Sequence, residues 1–501
     1  MNFYSLIEDI IQLKPTNVAR KIDGKGSSIS YAELGEQVSR YLNTLSALGV
    51  SRGDRIVVQV DKSLPSLFLY LACLKGGCVF IPLNTAYKAS ELIYFISDAE
   101  PKLFVTSNDR YEEISALVDD VVDCSAVVLA GDAYHDLSSS SQRQPEFAET
   151  RSTDVDEIAV IIYTSGTTGR SKGAMVTHNN LISNVRALTR LWEFSDQDVL
   201  LHALPIFHVH GLFVANHCAL SVGATIHWIS RFDVDAIIQA IPKSTVMMGV
   251  PTFYTRLLGH KALTTNLCRT MRLFISGSAP LLTVTHELFE TVTGHRILER
   301  YGMSEAGMIT SNPYHGERKV GTVGLPLKGV CIRIVNDVDA DLTEGSTGHV
   351  QIKGPNLFAG YRNMVEKTRE EFTEDGWFRT GDLGTLDSEK YLTIVGRSKD
   401  LIITGGYNVY PKEIELVLDN EPAIIESAVF GLQDSDFGEI VSAAIVVEPS
   451  FKLEPDQLIG VLKTKLASYK VPKKVYVVSQ LPRNAMGKVQ KSILRDDYSS
   501  D

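Results

Sequence analysis

Between about residues 150 and 310, short runs of β-branched and apolar residues alternate with stretches whose apolar positions recur at helical spacing. Val246-Met247-Met248-Gly249-Val250, Leu273-Phe274-Ile275 and Ile297-Leu298 read as strands, while Leu181, Val185, Leu188 and Leu191 share one helical face, as do Leu288, Phe289 and Val292. The alternation predicts an α/β fold with helices covering sheets. The first 150 residues read similarly. Tyr31-Ala32-Glu33-Leu34 opens a helix, 55–60 is a strand, 138–144 is a polar loop, and the apolar stretch 67–83, broken by Lys75-Gly76-Gly77, is a buried helix running into a strand. From about Gly321 strands and turns take over (331–335, 349–352, 391–395), predicting an appended β-subdomain. Beyond residue 400 comes a compact α+β pattern: helix 411–418, strands 427–430 and 441–447, helix 458–469 and strand 475–478. The predicted division is a large domain over 1–397 and a small one over 398–501.

In such sheets ligands gather beyond the carboxyl ends of strands. That rule selects residues 164–173, 251–256, 276–280 and 301–305. The first is Thr164-Ser165-Gly166-Thr167-Thr168-Gly169-Arg170-Ser171-Lys172-Gly173, directly after the apolar run 158–162. Glycines let the backbone approach a ligand, hydroxyls and N–H groups donate to phosphate oxygens, and Lys172 adds a point charge. The spacing fails the Walker pattern, and Gly173-Ala174-Met175-Val176-Thr177 reads as a second extended piece instead of a helix. A phosphate loop between two strands points away from P-loop kinases. The same composition also makes an ordinary surface turn, so the neighbouring segments decide.

At 501 residues with 44% hydrophobic content the chain can bury a large core, and more than one domain is expected. Its net charge of −11, with both signs interspersed, argues against nucleic acid or an anionic membrane surface as partner. Any anionic substrate must therefore meet locally placed cations. The six cysteines are scattered without a C-x-x-C pair, which disfavours a zinc site or a disulfide framework and suits a reducing compartment. The amino end carries acids early and lacks signal-peptide character, and no stretch reads as a membrane span. A cytoplasmic protein without stable membrane insertion is expected; its oligomeric state is not readable.

Four further segments accompany the loop: Arg300-Tyr301-Gly302-Met303-Ser304-Glu305; Trp377-Phe378-Arg379-Thr380-Gly381-Asp382; Gly396-Arg397-Ser398-Lys399-Asp400 with Gly405-Gly406-Tyr407-Asn408; and Pro482-Arg483-Asn484-Ala485-Met486-Gly487-Lys488. In this order and spacing the chain resembles, over nearly its whole length, the adenylate-forming superfamily of acyl-CoA synthetases, luciferases and peptide-synthetase adenylation domains. The resemblance implies a ligase that uses ATP, Mg²⁺ and coenzyme A. A carboxylate attacks the α-phosphate and releases pyrophosphate; the thiol then displaces AMP from the acyl-adenylate.

Carried onto this sequence, the resemblance implies that Thr164, Ser165, Gly166, Thr167, Thr168, Gly169 and Lys172 hold the phosphates. Tyr301, Gly302, Met303 and Ser304 would line the nucleotide site, Asp382 would bind the ribose hydroxyls, and Arg397 would support ribose or phosphate. Glu305, with Thr164, would hold Mg²⁺, a hard cation that prefers oxygen. Lys488 would bridge the attacking carboxylate and the α-phosphate. Lys399 matches the hinge about which the small domain turns, and Gly405 and Gly406 would meet the pantetheine arm. By residue type alone Lys488 reads as a solvated tail lysine like Lys491, Asp382 as a turn cap, Arg397 as a surface ion pair, Tyr301 as core, and Gly405-Gly406 as a plain turn. Ser304 stands where the family commonly has threonine and Ser171 where it commonly has proline; neither departure removes a charged group.

Phe207-His208-Val209-His210-Gly211-Leu212-Phe213, with 250–256, 272–279 and 298–303, is similar to the malonyl-CoA synthetase branch. Malonate, or its methyl homologue, carries a second carboxylate whose burial without a partner costs about 3–5 kcal/mol. An arginine fork is its natural partner. Arg256 is the favoured candidate because it lies about a turn beyond a strand end; Arg300 comes second, Arg231 is weaker, and Arg272, at a strand start, should face the opposite rim. His208 would join Lys488 and Glu305 at the reacting centre, closing the acyl pocket or orienting the carboxylate, or else be a satisfied core histidine. Ser276 and Ser278 would donate to the distal carboxylate or cap a helix. The alternatives are a ligase for a monocarboxylic fatty or aromatic acid, a stand-alone domain loading a carrier protein, and a non-catalytic nucleotide-binding protein.

Overall fold

The computed structural model describes residues 1–22, 28–119, 124–131, 136–164, 171–434, 436–484 and 487–499. Four sheets are present among them. The first contains, in spatial order, Ser125–Val128, Leu103–Thr106, Arg55–Gln59, Val79–Pro82, Ile158–Thr164 and Lys172–Thr177. Its members run parallel except for the last pair, where Thr164 lies opposite Lys172. The glycine-rich segment thus joins antiparallel neighbours, as its sequence predicts.

The second sheet has a parallel centre in the order Leu298–Met303, Leu273–Ser276, Val246–Gly249, Val199–His202, Thr225–Trp228 and Val18–Ile22. The strands Leu273–Ser276 and Val246–Gly249 are buried throughout, which is why they read as continuous apolar runs without alternation. One core cluster spans both sheets and includes the helix Leu64–Gly76. That helix shows no polar face because Leu67 to Leu74 are all buried. Ser63 and Ser66 cap its start reciprocally, and Gly77, at φ +68°, ends it.

The expected β-subdomain is an antiparallel sheet of Cys331–Val335, Gly348–Lys353, Phe378–Leu386 and Leu392–Arg397. Beyond it Ile402–Thr404, Tyr407–Val409, Ile424–Asp434, Gly438–Val447 and Lys474–Val477 form a sheet of their own, with a core of its own. Helices and sheets together make the α/β fold the pattern predicts. One local expectation is corrected: the supposed polar loop at 138–144 contains the short helix Leu137–Ser141, because Asp136 accepts from the backbone N–H groups of Ser138 and Ser139. Among the described residues no helix is long and apolar enough to cross a membrane.

After the strand Val199–His202 the chain passes Pro205 and enters a π-helix, His210–Ala215. At Gly211 a Cβ would stand 1.9 Å from the Pro205 carbonyl oxygen, so only glycine lets these two segments touch. Gly211→Ala is expected to destabilise the fold by about 1–3 kcal/mol, through the backbone shift that overpacking forces. Urea unfolding followed by near-ultraviolet circular dichroism checks this.

Candidate active site

The parallel strands Val199–His202, Val246–Gly249, Leu273–Ser276 and Leu298–Met303 end on one rim, and each is followed by a segment bearing polar side chains. Onto that rim comes the turn before Lys488. At Gly487, with φ +74°, a Cβ would lie 3.3 Å from the Thr252 hydroxyl of the helix Pro251–Leu258. The contact brings a residue near the carboxyl end of the chain to the end of a central strand.

Lys488 is open to solvent but surrounded closely by protein atoms. That crowding, followed by the charge of Arg397 and opposed by Asp382, lowers its pKa to about 8. His208 is close enough to feel the charge of both Lys488 and Arg300; burial first, then these cations, lower its pKa to about 4.

On the nucleotide side the expected residues are connected. Asp382 and Arg397 are direct cross-strand partners, with Arg397 Nε 3.0 Å from Asp382 Oδ1. The Tyr301 hydroxyl donates to Asp382 Oδ2, and the Asp382 backbone N–H donates to Thr380 Oγ1 at 3.1 Å. The charge of Asp382 raises the Arg397 pKa, so this guanidinium stays cationic. Glu305 is buried and accepts from the Tyr361 hydroxyl at 2.9 Å. Burial raises its pKa, while that hydrogen bond and the charges of Lys172 and Arg397 oppose the rise. Lys172 lies 4.2 Å over the face of the Tyr361 ring and 3.3 Å from Glu371. One tyrosine thus links the loop lysine to the acid expected to hold Mg²⁺. Thr164 ends its strand nearby, its hydroxyl 3.5 Å from the Lys172 carbonyl oxygen. Gly302, Met303 and Ser304 follow Tyr301 along the same rim. Ser165, Gly166, Thr167, Thr168 and Gly169 lie outside the described residues.

The acid side is built differently. Arg300 is 4% exposed, and its Nε and Nη2 have no hydrogen-bond partner among the described residues. Burial lowers its pKa to about 9. Beneath it is Gly277, where a Cβ would stand 2.5 Å from the guanidinium carbon. The Ser276 hydroxyl, His208 Nδ1 and His210 Nε2 are also buried without partners. Ser278, held at φ +73°, places its hydroxyl 3.3 Å from His210 Nδ1. Arg300, His208 and His210 act on one another electrostatically, and no carboxylate among the described residues is paired with Arg300.

Arg256, the favoured arginine, is exposed where Arg300 is buried. Its helix buries Phe253, Tyr254 and Leu257, which turns Arg256 outward to an exposed position 5.9 Å from the Phe232 ring. Arg231 is exposed as well. Arg272 faces the other rim as expected, clamped on Asp198 at 2.7 and 2.8 Å. Gly405 and Gly406, at φ +55° and +82°, form the turn between Ile402–Thr404 and Tyr407–Val409. Gly405 borders a cavity of about 240 Å³, with Tyr407, Phe437, Tyr469 and Lys473, lined by the carboxyl-terminal sheet region alone. Lys399 sits in the turn Ser398–Asp400, where Ser398 Oγ is 3.2 Å from His349 Nδ1 and Asp400 is 2.6 Å from Arg495. The sequence reading missed His210, although a second histidine directly before an obligatory glycine was a usable signal.

A profile described as AMP-binding enzyme matches residues 8–362, and its carboxyl-terminal companion matches residues 413–488. The chain belongs to the AMP-binding enzyme family. It is 35% identical to a malonate–CoA ligase of Arabidopsis thaliana, over 95% of this chain and 86% of that one. It is also similar to the ATP-bound crystal structure of MatB from Rhodopseudomonas palustris, with 46% identity, a TM-score of 0.97 and 99% of each chain covered. Against the apo structure of the same relative the TM-score is 0.84, covering 100% of this chain and 99% of that one.

A buried guanidinium without an anion is destabilising in the free protein. Arg300→Met, apolar and of similar length, is expected to raise unfolding free energy by about 1–4 kcal/mol, measured by urea denaturation without ligands.

Proposed function

We propose that this chain is an AMP-forming acid–CoA ligase acting on malonate: ATP, malonate and coenzyme A give malonyl-CoA, AMP and diphosphate. The observation that carries the substrate is the buried Arg300 guanidinium without an anionic partner among the described residues, with His208 feeling the charge of both Arg300 and Lys488. A dicarboxylate satisfies both cations. One carboxylate pairs with Arg300, while the other reaches Lys488. A monocarboxylic fatty or aromatic acid leaves the arginine unmatched.

In the first half-reaction an oxygen of the proximal carboxylate attacks the α-phosphorus, and the bond to the β-phosphate oxygen breaks. Protonated Lys488 neutralises charge shared by the attacking carboxylate and the α-phosphate. Lys172 and the glycine-rich loop hold the outer phosphates, while Asp382, fixed by Tyr301 and Arg397, takes the ribose hydroxyls. Glu305, which has no ion pair among the described residues, would hold Mg²⁺, a cation that takes one or two carboxylates with water and phosphate oxygens, and Thr164 would join it; bound there, the ion would neutralise charge on the phosphates. In the second half-reaction the coenzyme A thiolate attacks the acyl carbonyl carbon and AMP leaves.

The turn bearing Gly487 and Lys488 packs against Thr252, where the thiol must later approach, so residues 398–501 turn about Lys399 between the steps. Gly405 and Gly406 then approach the pantetheine arm, which needs backbone without side chains. The difference in TM-score between the ATP-bound and apo forms of one relative supports two arrangements, with this chain nearer the first.

AMP release with ATP, Mg²⁺ and coenzyme A, measured across malonate, methylmalonate, succinate, butyrate and benzoate, tests the assignment; malonate is expected to lead. Arg300→Leu is expected to lower kcat/KM for malonate by about 10²–10⁴-fold, the cost of breaking a buried charge pair, and to spare butyrate. Arg256→Leu should leave both nearly unchanged. Equal loss of malonate and butyrate turnover in Arg300→Leu would make the arginine structural.

Lysine loses its charge as pH rises through its pKa, so kcat/KM for malonate-dependent exchange of pyrophosphate into ATP should fall above about pH 8. Lys488→Arg, which stays charged, should remove that limb even if it lowers the plateau.

A further inference from the structure

We propose that His210 donates from Nε2 to the distal carboxylate and, with Arg300, sets the preference for a dicarboxylic acid; the inference rests on the malonate reading and assigns a further residue to that site. His210 is 1% exposed, and its Nε2 is buried without a partner, as are Arg300 Nε and Nη2 and the Ser276 hydroxyl. Orphaned buried polar atoms are rare in folded proteins. The Ser276 hydroxyl belongs to the face of Glu299, but His210 and Arg300 act on each other, and two neighbouring orphans mark a place where an outside ligand completes the hydrogen bonds.

The groups acting on His210 are Arg300, His208 and His202, none of which is an acceptor of negative charge. An anion is therefore the partner this space lacks. Ser278 Oγ lies 3.3 Å from His210 Nδ1 and anchors the other ring nitrogen. A serine hydroxyl can donate or accept, so an arriving carboxylate selects the tautomer carrying hydrogen on Nε2, with the Ser278 hydroxyl donating to Nδ1. A neutral imidazole beside Arg300 adds a donor without adding like-charge repulsion.

The backbone is shaped to hold this ring. Ser278 adopts φ +73°, a left-handed conformation uncommon for serine, and His210 opens a π-helix whose second residue, Gly211, lies against the Pro205 carbonyl. The Gly211 carbonyl is in turn 3.0 Å from His202 Nε2. His210 is thus fixed by both its neighbour in sequence and its partner on the next strand end.

The test compares His210→Gln, whose amide can replace the Nε2 donor, with His210→Asn, whose shorter amide reaches only the Nδ1 position near Ser278. Steady-state KM and kcat are measured for malonate, butyrate and ATP, with thermal unfolding of each protein recorded alongside. His210→Asn is expected to raise KM for malonate by about 10- to 100-fold, the size of a lost hydrogen bond to a charged group. KM for butyrate and ATP should stay within about threefold, and His210→Gln should recover most of the malonate affinity. Equal malonate KM in wild type, Gln and Asn proteins overturns the proposal, as does a parallel rise for malonate, butyrate and ATP. Failure of the malonate reading looks different: wild-type protein would then prefer a monocarboxylate before any substitution is made.

Discussion

Arg300 stands in the second sheet with no carboxylate to share its charge, and its surroundings are arranged so that none can arrive from the protein itself. Gly277 lies flat beneath the guanidinium, Tyr254 and Cys218 crowd its far side, and the nearest titratable groups toward the cleft are histidines. Such a group destabilises the free fold, and the large core that spans both sheets is what can hold it. The energetic deficit becomes selectivity when a ligand supplies the missing anion.

The nucleotide side follows the opposite rule. Asp382 is already engaged by Tyr301 and Arg397, Glu305 by Tyr361, and Lys172 by Glu371. In the proposed reaction ATP exchanges partners there and does not complete a bare site. Paired charges keep their side chains in one geometry before the ligand arrives, which suits a step that depends on alignment of three reacting atoms. On that proposal, affinity for the acid comes from unsatisfied groups, while rate comes from satisfied ones held in place.

The strand-end rule made much of this rim legible in the sequence, because the segments 164–173, 251–256, 276–280 and 301–305 each follow an apolar run that reads as a buried strand. The error over the arginines has a definite cause. Arg256 was judged by its distance from a strand end, whereas Phe253, Tyr254 and Leu257 already define the buried helical face and put Arg256 outside it. Arg300 follows the run Ile297-Leu298 that reads as a strand, but the strand runs on to Met303. Strand alternation then sends Glu299 and Arg300 to opposite faces, and both are buried; burial pushes the Glu299 pKa up to about 8. Nothing in the local pattern says that a Glu-Arg pair in sequence will be split across a sheet and left without mutual pairing. His210 was missed for a related reason: its importance depends on the orphaned nitrogen, which only packing determines.

The same geometry couples recognition to chemistry in the proposed reaction. Lys488 and Arg300 both act on His208, a ring that stays neutral across the physiological range. A short dicarboxylate fits between them with one end on each. Its distal charge, pulled toward Arg300, leaves the proximal carboxylate at Lys488, where the α-phosphate must be met. Once adenylation removes the proximal charge, the attraction that keeps Lys488 in the cleft weakens, whereas the distal carboxylate remains on Arg300. The acyl group is therefore retained by the large domain at the stage when the turn carrying Lys488 has least reason to stay, and the carbonyl carbon is held still for the thiol.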